Sequence, residues 1–317
     1  MTDPASGPDT PSWVGAMRRG ERASVARAVT AVENDYPDAS AIVETARMAA
    51  GHALVLGLTG PPGAGKSTLT DALVREFRRR SRLVAVLAVD PSSSVTGGAL
   101  LGDRIRMSGH ATDRGVFIRS HASRGRPDGL AATTSRVIDV MDAAGSDIII
   151  VETVGTGQAE TGITRLADRS ILVWPPGSGD DIQAAKAGIL ETVDLIVVNK
   201  ADRPGAHAAR AALEAAVSWR GDDVPPVLMT VATRGEGVGE LAGLLVDEGH
   251  RPTQSPRRTR QGLSQEIIET ALAMARKRAL HHPRLTGLAD AVAGGTTTLD
   301  DAALHLLETL VDRDDSE

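Results

Sequence analysis

The chain has 317 residues, 41% hydrophobic and 24% charged, more than one average domain needs and enough to bury a substantial core. Its 35 basic and 41 acidic residues leave a net charge of -6, and with one Tyr and two Phe there is neither a phosphate-tracking basic stripe nor a base-stacking surface, so nucleic acid is not expected as a partner. Cysteine is absent, which removes disulfides, thiolate zinc sites and Cys nucleophiles together.

Residues 1–12 are acidic and Pro-rich with no apolar run, and read as a disordered N-terminus rather than a signal or transit segment. Residues 13–50 carry helical spacing, with Val25, Ala28, Val29 and Val32 on one face, and form an expected N-terminal helical extension. The pattern then changes to short apolar runs at 53–58, 83–89, 116–118, 147–152, 170–174, 194–199 and 226–231. Helical stretches such as Ser67 to Arg80 and Ala206 to Trp219 lie between most of them. Continuous apolar strands are covered on both faces, so this alternation predicts an α/β fold with a mostly parallel central sheet flanked by helices. Residues 51–250 are assigned to that domain. After a Pro- and Arg-rich linker, residues 251–317 read as a C-terminal helical arm, with helices over about 261–280 and 299–311, that either caps the core or dimerises. The longest apolar stretches run about 5 to 8 residues, far short of the ~20 needed to span a bilayer. A cytoplasmic protein with no membrane partner is expected.

Within the first strand-to-helix junction, Gly60-Pro61-Pro62-Gly63-Ala64-Gly65-Lys66-Ser67 satisfies G-x-x-x-x-G-K-[ST] and is followed by Thr68. Glycines at 63 and 65 let backbone N–H groups turn toward a phosphate, the helix N-terminus adds partial positive charge, and Lys66 reaches the terminal phosphates. Ser67 offers a hydroxyl to Mg²⁺. This marks a P-loop nucleotidase.

A hard cation held between phosphates wants oxygen ligands. Asp90 and Glu152 close the second and fourth apolar runs, where open α/β sheets bind ligands, and Asp103 stands shortly after Asp90, so Ser67, Asp90, Asp103 and Glu152 are the candidate Mg²⁺ ligands. The segment Glu152-Thr153-Val154-Gly155 resembles a second switch of the form D-x-x-G with Glu in place of Asp. Common GTPases place Gln directly after that Gly to orient the attacking water. Here Gln158 stands three residues beyond Gly155. Slow intrinsic hydrolysis, accelerated when a partner completes the site, is the expectation.

Asn199-Lys200-Ala201-Asp202 ends the sixth run and matches N-K-x-D. A carboxylate at Asp202 can accept from both the ring N1–H and the exocyclic amine of guanine, a donor pair that adenine lacks, so the bound nucleotide is GTP or GDP. Asn199 pins the loop and the Lys200 stem lies along the purine. The usual following element is a Ser-Ala dipeptide whose backbone meets guanine O6. Here the segment reads Val231-Ala232-Thr233, which keeps the backbone group of Ala232 and loses the Ser side-chain support.

The segments GPPGAGKST, AVDPSSSVTGGALLGDRIRM, VETVGTGQAET, PGSGDDIQAAKAGI and VVNKAD, in that order, resemble the P-loop GTPases called MeaB or ArgK in bacteria and methylmalonic aciduria type A protein in humans, over roughly residues 13–290. The resemblance implies a homodimer involving the C-terminal helices. It implies a chaperone role as well, gating cobalamin delivery to an acyl-CoA mutase and protecting that enzyme. It further implies that Gly177 to Gly188 form an additional switch in which Lys186 couples nucleotide state to the mutase. With Lys66, Glu152 and Gln158, Lys186 completes the candidate catalytic set. Gly179-Asp180-Asp181 stands where relatives commonly read G-D-E, and Trp174-Pro175-Pro176 precedes it.

Three other readings compete. GTPases that insert nickel rely on Cys and His clusters, whereas this chain has no Cys and its eight His are scattered apart from His281-His282. A transport-associated kinase or ATPase would need a base that positions a protein acceptor, and none stands out. A non-catalytic scaffold with a structural nucleotide is the third alternative.

Overall fold

The computed structural model describes residues 11–90, 108–110, 112–122, 133–153, 160–177, 188–246 and 255–311. The chain divides at Thr259 into two compact units.

The first unit is built on a seven-stranded sheet: β1 (Leu54–Thr59), β2 (Val84–Asp90), β3 (Val116–Ala122), β4 (Ile148–Thr153), β5 (Arg169–Trp174), β6 (Leu195–Asn199) and β7 (Val227–Thr230). Their order across the sheet is β3-β2-β4-β1-β5-β6-β7, and every pairing is parallel. Each strand is one of the seven apolar runs. β1, β4 and β5 are buried at all six positions, as strands covered on both faces must be.

Alternation along the strands sorts the core into layers. Val55, Leu87, Ile149 and Val151 point to the face covered by α1 (Arg22–Glu33), α2 (Ala39–Ala49), α4 (Thr133–Ala143) and α5 (Glu160–Leu166). Leu56, Leu58, Val86 and Ile150 point to the opposite face, against α3 (Lys66–Arg79) and α7 (Val238–Val246). A third cluster joins Leu172, Trp174, Ile196 and Val198 to α6 (Ala206–Val217). Aliphatic side chains carry most of this packing, with Phe77 fully buried among them. Burying each such side chain is worth about 1.5–3 kcal/mol.

The N-terminal segment differs from expectation at its start. Residues 12–20 form turns rather than helix, because Gly15 and Gly20 take positive φ angles of 66° and 73°. Gly15 and Met17 donate backbone N–H bonds to Ala143 and Ala144 at the end of α4, which fixes Trp13 and Met17 in the core.

The second unit contains α8 (Arg260–Leu280), α9 (Leu285–Ala293) and α10 (Leu299–Val311), of which α9 is additional to the two helices read from sequence. Thr298 caps α10 by accepting the Asp301 N–H at 3.1 Å while its hydroxyl donates to the Asp301 carboxylate at 2.6 Å. Leu263, Ile267, Ile268, Leu272 and Met274 on α8, with Leu304 and Leu307 on α10, remain exposed. Among the described residues, no helix is long and apolar enough to cross a membrane.

Candidate functional site

The site lies along the C-terminal edge of the sheet, where β1 stands between β4 and β5. β1 leads into α3 on one face of the sheet and β4 leads into α5 on the other, and open α/β sheets bind ligands at such a reversal.

Gly60 follows β1 with φ 135°, and a Cβ there would run into the Val173 carbonyl of β5. Only glycine lets the loop start this close to the neighbouring strand. Ala64 is fully buried, whereas Pro62, Gly63 and Thr68 face outward. Gly65, at φ 95°, is the residue before α3, and a Cβ on it would collide with the Asn199 side-chain amide. Lys66 opens α3 and donates from Nζ to the carbonyls of Gly60 at 2.5 Å and Pro61 at 3.2 Å, so the ammonium is held over the loop.

The first turn of α3 brings Ser67 to the end of β4, where its hydroxyl donates to Glu152 Oε1 in a short hydrogen bond. Glu152 is almost completely buried and pairs in register with Leu58 of β1 and Ala88 of β2. Thr153 follows, its hydroxyl reaching the Leu58 carbonyl at 3.4 Å. Asp90 is the last residue of β2, one step beyond the Val89–Thr153 register pair. Hard oxygen donors from a hydroxyl and a carboxylate therefore meet beside the phosphate loop, a set that suits Mg²⁺. Asp103, Gln158 and Lys186 lie outside the described residues.

The base-reading loop is tied to the phosphate loop through one side chain. Asn199, buried at the end of β6, donates from Nδ2 to the Ala64 carbonyl at 3.0 Å. Its Oδ1 accepts from the Thr230 hydroxyl and the Ala232 N–H, both at 3.2 Å. Lys200, at φ 59°, donates from Nζ to the Gly63 carbonyl at 2.5 Å and so spans the same two loops. A conformation with positive φ is uncommon for a residue with a side chain, and here it turns the chain so that Asp202 stands clear of the strand. Val231 and Ala232 are buried and Thr233 is exposed.

Sequence reasoning missed two contributors. Thr230 completes the Asn199 amide, and Arg234 reaches Asp202 Oδ2 at 3.5 Å while gripping Glu236 at 2.5 and 3.1 Å. Hydrogen bonds from Arg234 hold the Glu236 carboxyl below its ordinary range.

The sequence model of the family described as methylmalonyl Co-A mutase-associated GTPase MeaB matches residues 25–282. A protein of Pyrococcus abyssi described as a GTPase is 50% identical over 231 residues, covering 71% of this chain and 71% of its own. The GTPase ArgK of Escherichia coli is 37% identical over 281 residues, 84% of this chain and 83% of its own. Among solved structures, that of a protein named LAO/AO transport system kinase superposes with a TM-score of 0.62 at 28% identity, covering 96% of this chain and 99% of that one.

Proposed function

Since the chain belongs to the MeaB family of methylmalonyl-CoA mutase-associated GTPases, we propose that it uses its GTP cycle to gate cobalamin loading, and to protect the loaded cofactor, in an acyl-CoA mutase. The chain is a GTPase of P-loop architecture. The observation that carries the nucleotide part of the reading is the Asn199 side chain, which fastens the phosphate loop at Ala64 to the loop bearing Ala232, next to the carboxylate of Asp202. Such a frame holds a phosphate chain and a guanine ring at a fixed separation.

In this reading the backbone from Gly60 to Thr68 wraps the phosphates and Lys66 neutralises the terminal ones. Ser67 and Glu152, with Asp90 and Asp103, hold Mg²⁺, which when bound offsets negative charge on the phosphate oxygens. Asp202 accepts from guanine, and the Ala232 backbone supports its O6 edge. Gln158 and Lys186 belong to the switch segments that respond to the terminal phosphate. The isolated protein turns over more slowly than about 1 s⁻¹, since no Gln stands at the usual water-orienting position after Gly155.

The helices of the second unit support a homodimer. Large apolar side chains along α8 are exposed, among them Leu263, Ile267, Ile268, Leu272 and Met274. At about 3.6 residues per turn Leu263, Ile267 and Met274 fall on one side of the helix and Ile268 and Leu272 on the other, and exposed apolar surface on this scale is more often a protein contact than a solvated face.

Turnover of GTP with and without a cobalamin-dependent acyl-CoA mutase, together with co-purification in the GTP and GDP states, tests the whole reading. Stimulation by the mutase, and retention on it in only one nucleotide state, are expected. Unchanged turnover with no association rejects the chaperone role, and transfer of phosphate to a protein acceptor favours a kinase.

A further inference from the structure

The loop after β7 folds back on itself. Val231 N–H donates to the Glu236 carbonyl at 3.0 Å and Arg234 N–H to the Val231 carbonyl at 2.9 Å, closing a tight turn through Gly235 at φ 75°. This turn carries the Arg234 side chain toward the base-reading loop. Its guanidinium is divided between two carboxylates: Nε and Nη2 lie on Glu236, and Nη1 points to Asp202 Oδ2. Asp202, Val231, Arg234 and Glu236 line a common cleft of about 290 Å³.

We propose that Arg234 is a positioning residue for guanine recognition, supplying from three residues downstream the support for Asp202 that a Ser at position 231 would otherwise give. The inference rests on the GTP-binding reading and extends it to a residue outside the N-K-x-D motif.

The chemistry is consistent on each side of the contact. A carboxylate has about four lone-pair sites, so Asp202 can accept two guanine N–H bonds and one from Arg234 at once. Val231 has no hydroxyl and cannot donate a side-chain bond. A guanidinium is planar and rigid, so fixing Nε and Nη2 on Glu236 aims Nη1 without further loss of rotamer freedom. Glu236 therefore acts as the clamp, and Arg234 as the strut between clamp and base reader. Both residues are exposed, so the contribution to fold stability is small and the effect belongs to ligand binding.

Calorimetric titration with GDP is the test. Arg234→Ala is expected to weaken GDP binding about three- to fivefold, the range of an exposed ion pair. Combining it with Val231→Ser is expected to restore affinity to within about twofold, because the hydroxyl replaces the lost donor. Loss of a positive charge near a polyanion would by itself weaken binding in any background. For that reason Arg234→Ala is repeated on Asp202→Asn with xanthosine diphosphate, where a smaller loss is expected because the neutral amide leaves no carboxylate charge for Arg234 to hold. Unaltered GDP affinity in Arg234→Ala, an equal loss in both backgrounds, or no recovery with Val231→Ser overturns the proposal. Failure of the unmodified chain to bind GDP would instead reject the GTP-binding reading itself.

Discussion

The hydroxyl of Ser67 donates directly to the carboxylate of Glu152, joining the first turn of α3 to the end of β4 across 85 positions of chain. Both are oxygen donors of the kind Mg²⁺ takes. Glu152→Gln is expected to lower Mg²⁺-dependent GTP hydrolysis by about 100-fold, the scale of losing one charge-stabilising group. GDP binding measured in EDTA should change little. Equal hydrolysis by the variant would remove Glu152 from the metal site.

Base selectivity is predicted to reverse at one residue. Asp202→Asn exchanges an acceptor for a donor facing the purine 2-position, which suits the carbonyl of xanthine and leaves guanine's amine unpaired. Preference between GTP and XTP should shift by about 100-fold or more toward XTP, on the scale of 1–3 kcal/mol for each unsatisfied polar group. Competition against a fluorescent guanine nucleotide reads this directly, and an unaltered preference would refute the role of Asp202.

A buried ionic cluster away from the nucleotide predicts a pH dependence. Glu33 of α1 is buried, accepting from Arg119 at 3.1 Å and lying 2.9 Å from His121 Nδ1, while His121 Nε2 meets the Thr133 hydroxyl at 3.2 Å. Burial alone would raise the Glu33 pKa, but the His121 and Arg119 hydrogen bonds outweigh it and hold it below the ordinary 4.5. A carboxyl with a depressed folded-state pKa contributes stability in full above its unfolded value, and that contribution is lost as pH falls through the folded value. Thermal unfolding should show this loss below about pH 4.5. Glu33→Gln should cost about 3 kcal/mol at neutral pH and flatten the acid limb. An unchanged acid limb would show that another carboxyl governs it.

Core packing gives a fourth expectation. Phe77 is fully buried between α3 and the sheet in a core with few aromatics. Phe77→Ala should destabilise the first unit by about 3–5 kcal/mol, read from denaturant unfolding. A loss below about 1 kcal/mol would mean that neighbouring aliphatic side chains refill the space.

Much of the fold was legible because both-face burial writes itself into continuous apolar runs, and all seven became strands. β3 is longer than its apolar run, extending through Arg119, Ser120 and His121 to Ala122. Arg119 and His121 are accommodated by Glu33, whose position 86 and 88 residues earlier gives no local sign of the pairing. α9 escaped notice because Gly287 and a short length weaken its helical spacing. In the site, the phosphate and base motifs were legible since backbone geometry dictates their residue types. Arg234 was not, because its contact depends on how a turn of Gly and polar residues folds back, which no periodicity records.

Asn199 has a consequence for how this chain can change. Its amide oxygen and nitrogen are committed to different loops, so in the proposed reading one side chain couples the grip on the phosphates to the grip on the ring. Natural variation that loosens one end slackens the other, and affinity and purine selectivity drift together. An engineer seeking a weaker but equally discriminating binder would therefore have to work elsewhere and leave the hinge pin itself alone.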